Sequence, residues 1–368
     1  MASKVWFVLD VRFPTEKAYG VTTTYTASAV NALDDFSAVV VTPTMDPSLT
    51  SQVPVNHVPM PMQELHRILL RQKNPTSKIA FVLWKNFYAM RIRKFISQKD
   101  DLIWTRDLQM TLILAILGFK VVCEVHRTPP SYLIIVMKFL CHFKSVTIAF
   151  ITDQLAQKLN YKGKFVIAPM AISRKDLLIL EQDRRSNKKN FTVGYLGSTS
   201  SSGNAISFRP IMQAAKNYLE RDNRVKFCFV GPTLEELEEG GEIPENVNVM
   251  GRIRRDEVIP VIDEFDVGII LYPDLDYFED SFPIKIVEYA ARRIPIIASD
   301  TKAHRNILGS DKCLYFDLRS IESLEQNIDK ILLDQVAVSE MTNNAYKWVE
   351  KLTYEERVRK VLKISEHL

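Results

Sequence analysis

Twelve short apolar runs, rich in β-branched and aromatic residues, alternate with helix-like stretches along this 368-residue chain. In the first half they are Val5–Asp10, Ala38–Thr42, Leu102–Thr105, Val121–Val125, Val146–Ile151 and Phe165–Ala168. In the second half they are Phe191–Leu196, Val225–Val230, Val247–Met250, Val267–Leu271, Ile294–Ala298 and Cys313–Phe316. Strands apolar on both faces, with helices between them, predict parallel sheets covered on both sides. Six strands per half predict two Rossmann-like α/β domains facing across a cleft. The polar run Asp183-Arg-Arg-Ser-Asn-Lys-Lys-Asn190 lies between the two series and is too charged for a core. It reads as a linker between a first domain, 1–182, and a second, 191–345. The closing segment, 346–368, carries Trp348, Val349, Leu352, Val358, Val361 and Leu362 at helical spacing.

Ligands of such sheets sit outside the carboxyl ends of the strands, so the residues just beyond each run are the ones to inspect. The richest is Asp280-Ser-Phe-Pro-Ile-Lys-Ile-Val-Glu288, ahead of the run Pro295 to Ser299. A helix start there offers unpaired N–H groups to an anion, which suits a diphosphate. Lys285 adds a mobile positive charge in the first turn. Glu288, one turn deeper, can accept hydrogen bonds from a vicinal diol such as ribose, and Asp280 can hold sugar hydroxyls. Taken alone, the same stretch also describes a capped amphipathic helix packed on a sheet.

This stretch resembles the acidic-residue, seven-residue, Glu motif of the retaining glycosyltransferases of family 4. Further segments fit the resemblance. Pro14-Thr-Glu-Lys-Ala-Tyr-Gly20 resembles the family's N-terminal loop, in which Gly20 lets backbone approach a phosphate. Val122-Cys-Glu-Val-His126 resembles its Glu-x-His at a strand end, where the His faces the donor sugar and Glu124 orients its neighbours. Gly197 and Ser198 open a Ser- and Thr-rich loop suited to phosphate, with Arg209 at its end. The family commonly places an Arg and a Lys there, and this loop has no Lys, so Lys285 is expected to take over. Gly251-Arg252-Ile253 resembles the segment whose backbone reads the nucleotide base. Ser281 and Phe282 complete the expected donor-binding set.

The resemblance implies a two-Rossmann GT-B fold whose closing helix returns to the first domain. It also implies transfer from a nucleotide diphosphate sugar, with retention, to a glycan or lipid-linked acceptor. His126, Asp280 and Lys285 would carry the chemistry. No metal and no cofactor beyond the nucleotide sugar is expected.

Charge is unevenly spread. Residues 1–180 hold 22 Lys and Arg against 12 Asp and Glu, whereas the remainder holds 26 against 32. Leu65 to Lys99 contains nine basic residues, several aromatics and no acid, and Val125 to Thr152 is also free of acids. Basic residues mixed with aromatics suit an anionic membrane surface. A solvated helix face is the plainer alternative. No helix-turn-helix, zinc-finger or RNP-like pattern supports nucleic acid as a partner. The four cysteines form no C-x-x-C and read as buried thiols in a reducing compartment. The first apolar run is too short for a signal peptide, and no apolar run is long enough to span a bilayer. With the resemblance above, these lead to the expectation of a cytoplasmic protein, peripheral on the inner membrane face, with a lipid-linked acceptor as in surface polysaccharide synthesis.

Three rivals share parts of the pattern. Asp274-Leu-Asp276 is the kind of Asp-x-Asp that binds a divalent metal in another glycosyltransferase fold. A sugar-nucleotide epimerase and a non-catalytic sugar-binding protein would use the same two-domain scaffold.

Overall fold

The computed structural model describes residues 3–15, 18–45, 54–57, 75–96, 101–177, 189–198, 200–201, 204–205, 207–238, 242–273 and 275–365. The chain divides into two compact units. One comprises Met1–Pro169 with Tyr354–Leu368, and the other Met170–Thr353.

The first unit holds a parallel seven-stranded sheet: β1 (Ser3–Val8), β2 (Phe36–Thr42), β3 (Val55–His57), β4 (Leu102–Thr105), β5 (Lys120–Val125), β6 (Val146–Phe150) and β7 (Phe165–Ile167). Their spatial order is β3-β2-β1-β4-β5-β6-β7. The order reverses between β1 and β4, which makes that pair's carboxyl end the topological switch point. Helices α1 (Ala18–Asn31), α2 (Pro75–Ile92), α3 (Leu108–Ile116), α4 (Ser131–Leu140) and α5 (Asp153–Leu159) connect the strands. β4 and β6 are buried at every residue, as expected of central parallel strands. Asp107 starts α3 by accepting from the Met110 N–H at 2.7 Å. Trp6, Val8, Ile103 and Val121 of the sheet pack with Trp84, Tyr88 and Ile92 of α2 and with Met110 and Leu114 of α3.

The second unit repeats the plan. Its strands are β8 (Phe191–Leu196), β11 (Val225–Val230), β12 (Val247–Gly251), β13 (Val267–Ile270), β14 (Ile296–Ser299) and β15 (Leu314–Phe316), with a two-residue hairpin, β9 (Ser200–Ser201) and β10 (Asn204–Ala205), after β8. The order is β12-β11-β8-β13-β14-β15, with its reversal between β8 and β13. The helices are α6 (Arg209–Arg221), α7 (Leu234–Glu238), α8 (Arg255–Ile262), α9 (Asp276–Glu279), α10 (Ile284–Ala291), α11 (Lys302–Leu308), α12 (Ile321–Leu333) and α13 (Gln335–Val349). Successive residues of one strand feed opposite layers, as a period of two requires. Phe227 and Phe229 enter one core, Cys228 and Val230 the other.

Each unit is thus a parallel α/β sheet of Rossmann type, as the strand pattern predicts. The expected linker, 183–190, lies almost wholly outside the described residues. The division of the packed chain falls earlier, after Pro169. The segment expected from 346 onward to return as one piece is split. Val349 is buried in the second unit's core, and Trp348 stacks on Phe282 with ring centroids 6.2 Å apart. Only the last helix, α14 (Tyr354–Ile364), joins the first unit, where Tyr354 stacks on Tyr25 of α1 at 5.2 Å. Among the described residues, no helix is long and apolar enough to cross a membrane.

Candidate active site

In the second unit, three glycines close the carboxyl ends of three adjacent strands. Gly197 follows β8 with φ +142°, Gly231 follows β11 with φ +112°, and Gly251 ends β12 with φ +64°. Their backbones hold one another. Gly231 N–H donates to the Gly251 carbonyl at 2.7 Å, and Gly197 N–H donates to the Val230 carbonyl at 2.9 Å. A Cβ on Gly231 would lie 2.1 Å from the Gly197 carbonyl oxygen. Gly231→Ala is therefore expected to cost more than about 1 kcal/mol, through both the positive φ and the clash. A urea unfolding curve checks this.

Lys285 enters this strand edge from the first turn of α10. Its side chain is buried, with Nζ 4.0 Å from the centre of the Tyr195 ring and 5.5 Å from that of Tyr272. It adjoins Gly197: a Cβ there would meet Nζ at 2.9 Å. Among the described residues Lys285 makes no salt bridge, and two aromatic faces are its nearest company. Burial lowers its pKa to about 7, against the pull of the Glu288 carboxylate in the other direction. A buried ammonium without a directly paired carboxylate is costly, so the arrangement favours an anion at this edge.

His304, on α11, sits behind Tyr272 with ring centroids 5.6 Å apart. Its Nδ1 lies 2.8 Å from the Ser299 carbonyl, so Nδ1 carries the proton and donates. Its Nε2 is buried without a partner. Burial lowers this imidazole to about pKa 4, keeping it neutral.

The other expected donor residues fall as follows. Asp280 is buried as the residue that closes α9. Ser281 and Phe282 form the link from α9 to α10, Phe282 on Trp348. Glu288 is 2 % exposed and is held by Arg255 of α8, whose Nη1 pairs with its Oε1. Its spacing suggests an open diol acceptor, and here its carboxylate is buried in an ion pair. Arg209 opens α6 at the surface, Ser198 and Arg252 are exposed, and Ile253 packs partly buried on the core. The middle of the Ser- and Thr-rich loop lies outside the described residues, as does Asp274. Among the described residues, no three His, Cys, Asp or Glu side chains are grouped as metal ligands would be.

The first unit brings a second group together at the ends of β4 and β5. The Glu124 carboxylate accepts four donors: Trp104 Nε1 at 2.9 Å, Arg106 Nε at 2.9 Å, His126 Nε2 at 2.8 Å and Arg357 Nη2 at 2.7 Å. Burial alone would raise its pKa, but the Arg357 and Arg106 guanidiniums overcome this and hold it well below the usual carboxylate range. Trp104, Arg106 and Glu124 line a small cavity with Phe7, Thr23 and Thr26. Gly20, expected to let backbone approach a phosphate, is buried on α1 against its own loop: a Cβ there would meet the Thr15 carbonyl oxygen at 2.3 Å. At the β1/β4 switch point, Lys85 of α2 bridges Asp10 at 3.1 Å and Asp107. Burial works against that ammonium, and the two carboxylates still raise its pKa.

The sequence pointed to Gly197 and His126 by their places after strands and to Lys285 by its place in a first helical turn. It did not point to Tyr195, Tyr272, His304, Arg255 and Arg357. Gly231 was also passed over, and its place after the apolar run Val225–Val230 was the available signal.

The model of the family described as glycosyl transferases group 1 matches residues 181–348. No curated protein matches the chain. Among solved structures, a glycosyltransferase from Rickettsia africae aligns with TM-score 0.69 at 13% identity, over 99% of this chain and 98% of its own. Sucrose-phosphate synthase from Thermosynechococcus elongatus aligns with TM-score 0.70 at 12% identity, over 99% and 98%. The HepE protein of Anabaena, in complex with UDP and glucose, aligns with TM-score 0.68 at 13% identity, over all of both chains. The second unit thus carries a match to glycosyl transferases group 1 within the two-domain fold of these neighbours, which supports a glycosyltransferase.

Proposed function

We propose that the protein is a retaining, metal-independent glycosyltransferase of family 4 type. It moves a sugar from a nucleotide diphosphate sugar to a glycan or lipid-linked acceptor, in the synthesis of surface polysaccharide. One observation carries the donor side: the buried Lys285 side chain, without a salt bridge among the described residues, beside the glycine-lined ends of β8 and β11. A diphosphate supplies the missing negative charge. As the bond from the sugar's anomeric carbon to the phosphate oxygen breaks, charge grows on that oxygen, and Lys285 stabilises it. The acceptor hydroxyl forms the new bond on the same face, and its proton passes to the departing phosphate. His126 holds a sugar hydroxyl. The Anabaena HepE protein is in complex with UDP and glucose, so a uridine diphosphate sugar is the first donor to try.

Release of free nucleoside diphosphate on adding acceptor tests the reaction. An epimerase interconverts the sugar with no such release, and a binding protein does neither. Activity that persists in excess EDTA supports the metal-free route, and activity lost to EDTA and restored by a divalent ion contradicts it.

The acceptor side rests on the surface of α2, α3 and α4. Phe87 and Met90 of α2, Ile116 of α3, and Tyr132, Ile135 and Phe139 of α4 are all exposed. Arg91, Arg93, Lys94 and Lys138 accompany them, and none of the three helices contains an acid. Much of the basic stretch 65–99 lies outside the described residues. An anionic cytoplasmic leaflet complements such a face. The protein is expected to sediment with vesicles rich in phosphatidylglycerol at low salt, and to be released by salt. Serine at Tyr132, Ile135 and Phe139 together is expected to weaken binding at least tenfold, since each side chain contributes buried apolar area. Equal sedimentation with purely zwitterionic vesicles, or no effect of the triple change, removes this part of the proposal.

A further inference from the structure

We infer that Arg357, on the last helix, is a positioning residue for His126. Through Glu124 it fixes the imidazole as the tautomer that leaves Nδ1 to accept a hydrogen bond from a ligand hydroxyl. The inference rests on the reading above that His126 faces a sugar.

Glu124 and His126 are two residues apart at the end of β5, so a period of two sets both side chains on one side of the strand. A carboxylate can only accept, and His126 Nε2 lies 2.8 Å from Glu124 Oε2. The hydrogen therefore sits on Nε2. Burial and then the Arg106 guanidinium lower the His126 pKa to about 4, against the pull of Glu124. The ring is neutral at pH 7, and its Nδ1 carries a lone pair. The side chain is 26% exposed, so this nitrogen is open to a ligand.

What keeps the carboxylate in place is remote in sequence. Arg357 donates to Glu124 Oε1 at 2.7 Å, to the Pro169 carbonyl at 3.0 Å, and at 3.4 Å to both the Ala168 carbonyl and Thr26 Oγ1. Its guanidinium lies 5.9 Å from the centre of the Trp104 ring. Trp104 shares Oε1, while Arg106 and His126 share Oε2. The charged groups facing His126 are thus Glu124 from β5, Arg106 from just after β4, and Arg357 from α14. Without Arg357, Oε1 keeps one neutral donor, the carboxylate is free to turn, and the His126 ring loses its fixed partner.

Long-range ¹H–¹⁵N NMR of the wild-type protein reads the tautomer without any substrate. An Nε2–H ring that stays neutral from about pH 9 down to about pH 5 is expected. An Nδ1–H ring, or titration near the ordinary histidine value, overturns the inference even if the enzyme is active. Arg357→Met is expected to raise the His126 midpoint, because a neighbouring cation has gone. It is also expected to lower the transfer rate about tenfold, within the range of general positioning effects, with Arg357→Lys in between. Loss of rate with an unchanged tautomer and midpoint makes Arg357 merely structural and ends the inference. Should Arg357→Met fail to fold, Arg106→Met serves for the midpoint, and the wild-type tautomer still decides. Absence of any transferase activity with the expected tautomer counts against the sugar reading, not against the network.

Discussion

Replacing Lys285 by methionine is expected to lower the rate of sugar transfer by roughly 10²–10³-fold, the usual loss when one preorganised charge at a developing anion is removed. The same change is expected to make the ligand-free fold more stable. The two effects have one cause. Lys285 is buried against Tyr195 and Tyr272, and burial lowers its pKa from 10.5 to about 7. Below about pH 7 it is protonated in both the folded and unfolded chain, and the folded state carries the full penalty. Between about pH 7 and pH 10.5 only the unfolded chain keeps the proton, so wild-type stability rises with pH across that window. The slope attributable to this group is about 1.4 kcal/mol per pH unit. Lys285→Met removes that slope, which urea titrations across the window measure. A variant that loses stability and keeps full activity would show that Lys285 is only a packing residue.

Glu288→Ala is expected to destabilise the protein by about 3 kcal/mol, because it breaks a largely buried ion pair by removing one member. Glu288 is 2 % exposed, and Arg255 sits over it from α8. Donor binding is expected to fall as well, but that loss alone cannot separate a ribose contact from a collapsed helix. The double change Arg255→Leu with Glu288→Leu separates them. Replacing a buried pair by apolar residues of similar size is often neutral or stabilising. The double variant is therefore expected to regain most of the stability while donor binding stays lost. If donor binding returns with stability, Glu288 is a structural carboxylate and touches no ligand. Calorimetric melting and nucleotide titration on the three proteins read both quantities.

These expectations depend on features of unequal visibility in the sequence. The strands could be read because a parallel strand buried on both faces must be mostly apolar, as β4, β6, β13 and β14 are, each buried at every residue. Val55–His57 escaped because an edge strand of three residues after a proline carries too little pattern. The apolar spacing around Trp348 and Val358 marked helices but not their partners. The two residues belong to different units, Trp348 on Phe282 and Val358 in the body that holds β1 to β7. Lys285 and His126 were legible from their places just after strands or in a first helical turn. The groups that set their chemistry were not. Arg357 reaches Glu124 across 233 residues and Arg255 reaches Glu288 across 33, and no local periodicity encodes such pairs. Gly20 has a structural reason that the sequence did not show. Its missing Cβ leaves room for the Thr15 carbonyl of the preceding loop, a contact that no local pattern announces.

The seat for a diphosphate at Lys285 is the claim on which the proposed chemistry turns, and proton uptake reports on it directly. Calorimetric titration of UDP into the wild-type protein at about pH 8, in buffers of different ionisation heat, is expected to show a fraction of a proton taken up per nucleotide bound. That follows because the anion restores the ammonium that burial suppresses. The uptake should vanish in Lys285→Met. Nucleotide binding with no linked proton, or the same uptake with methionine at 285, would contradict it.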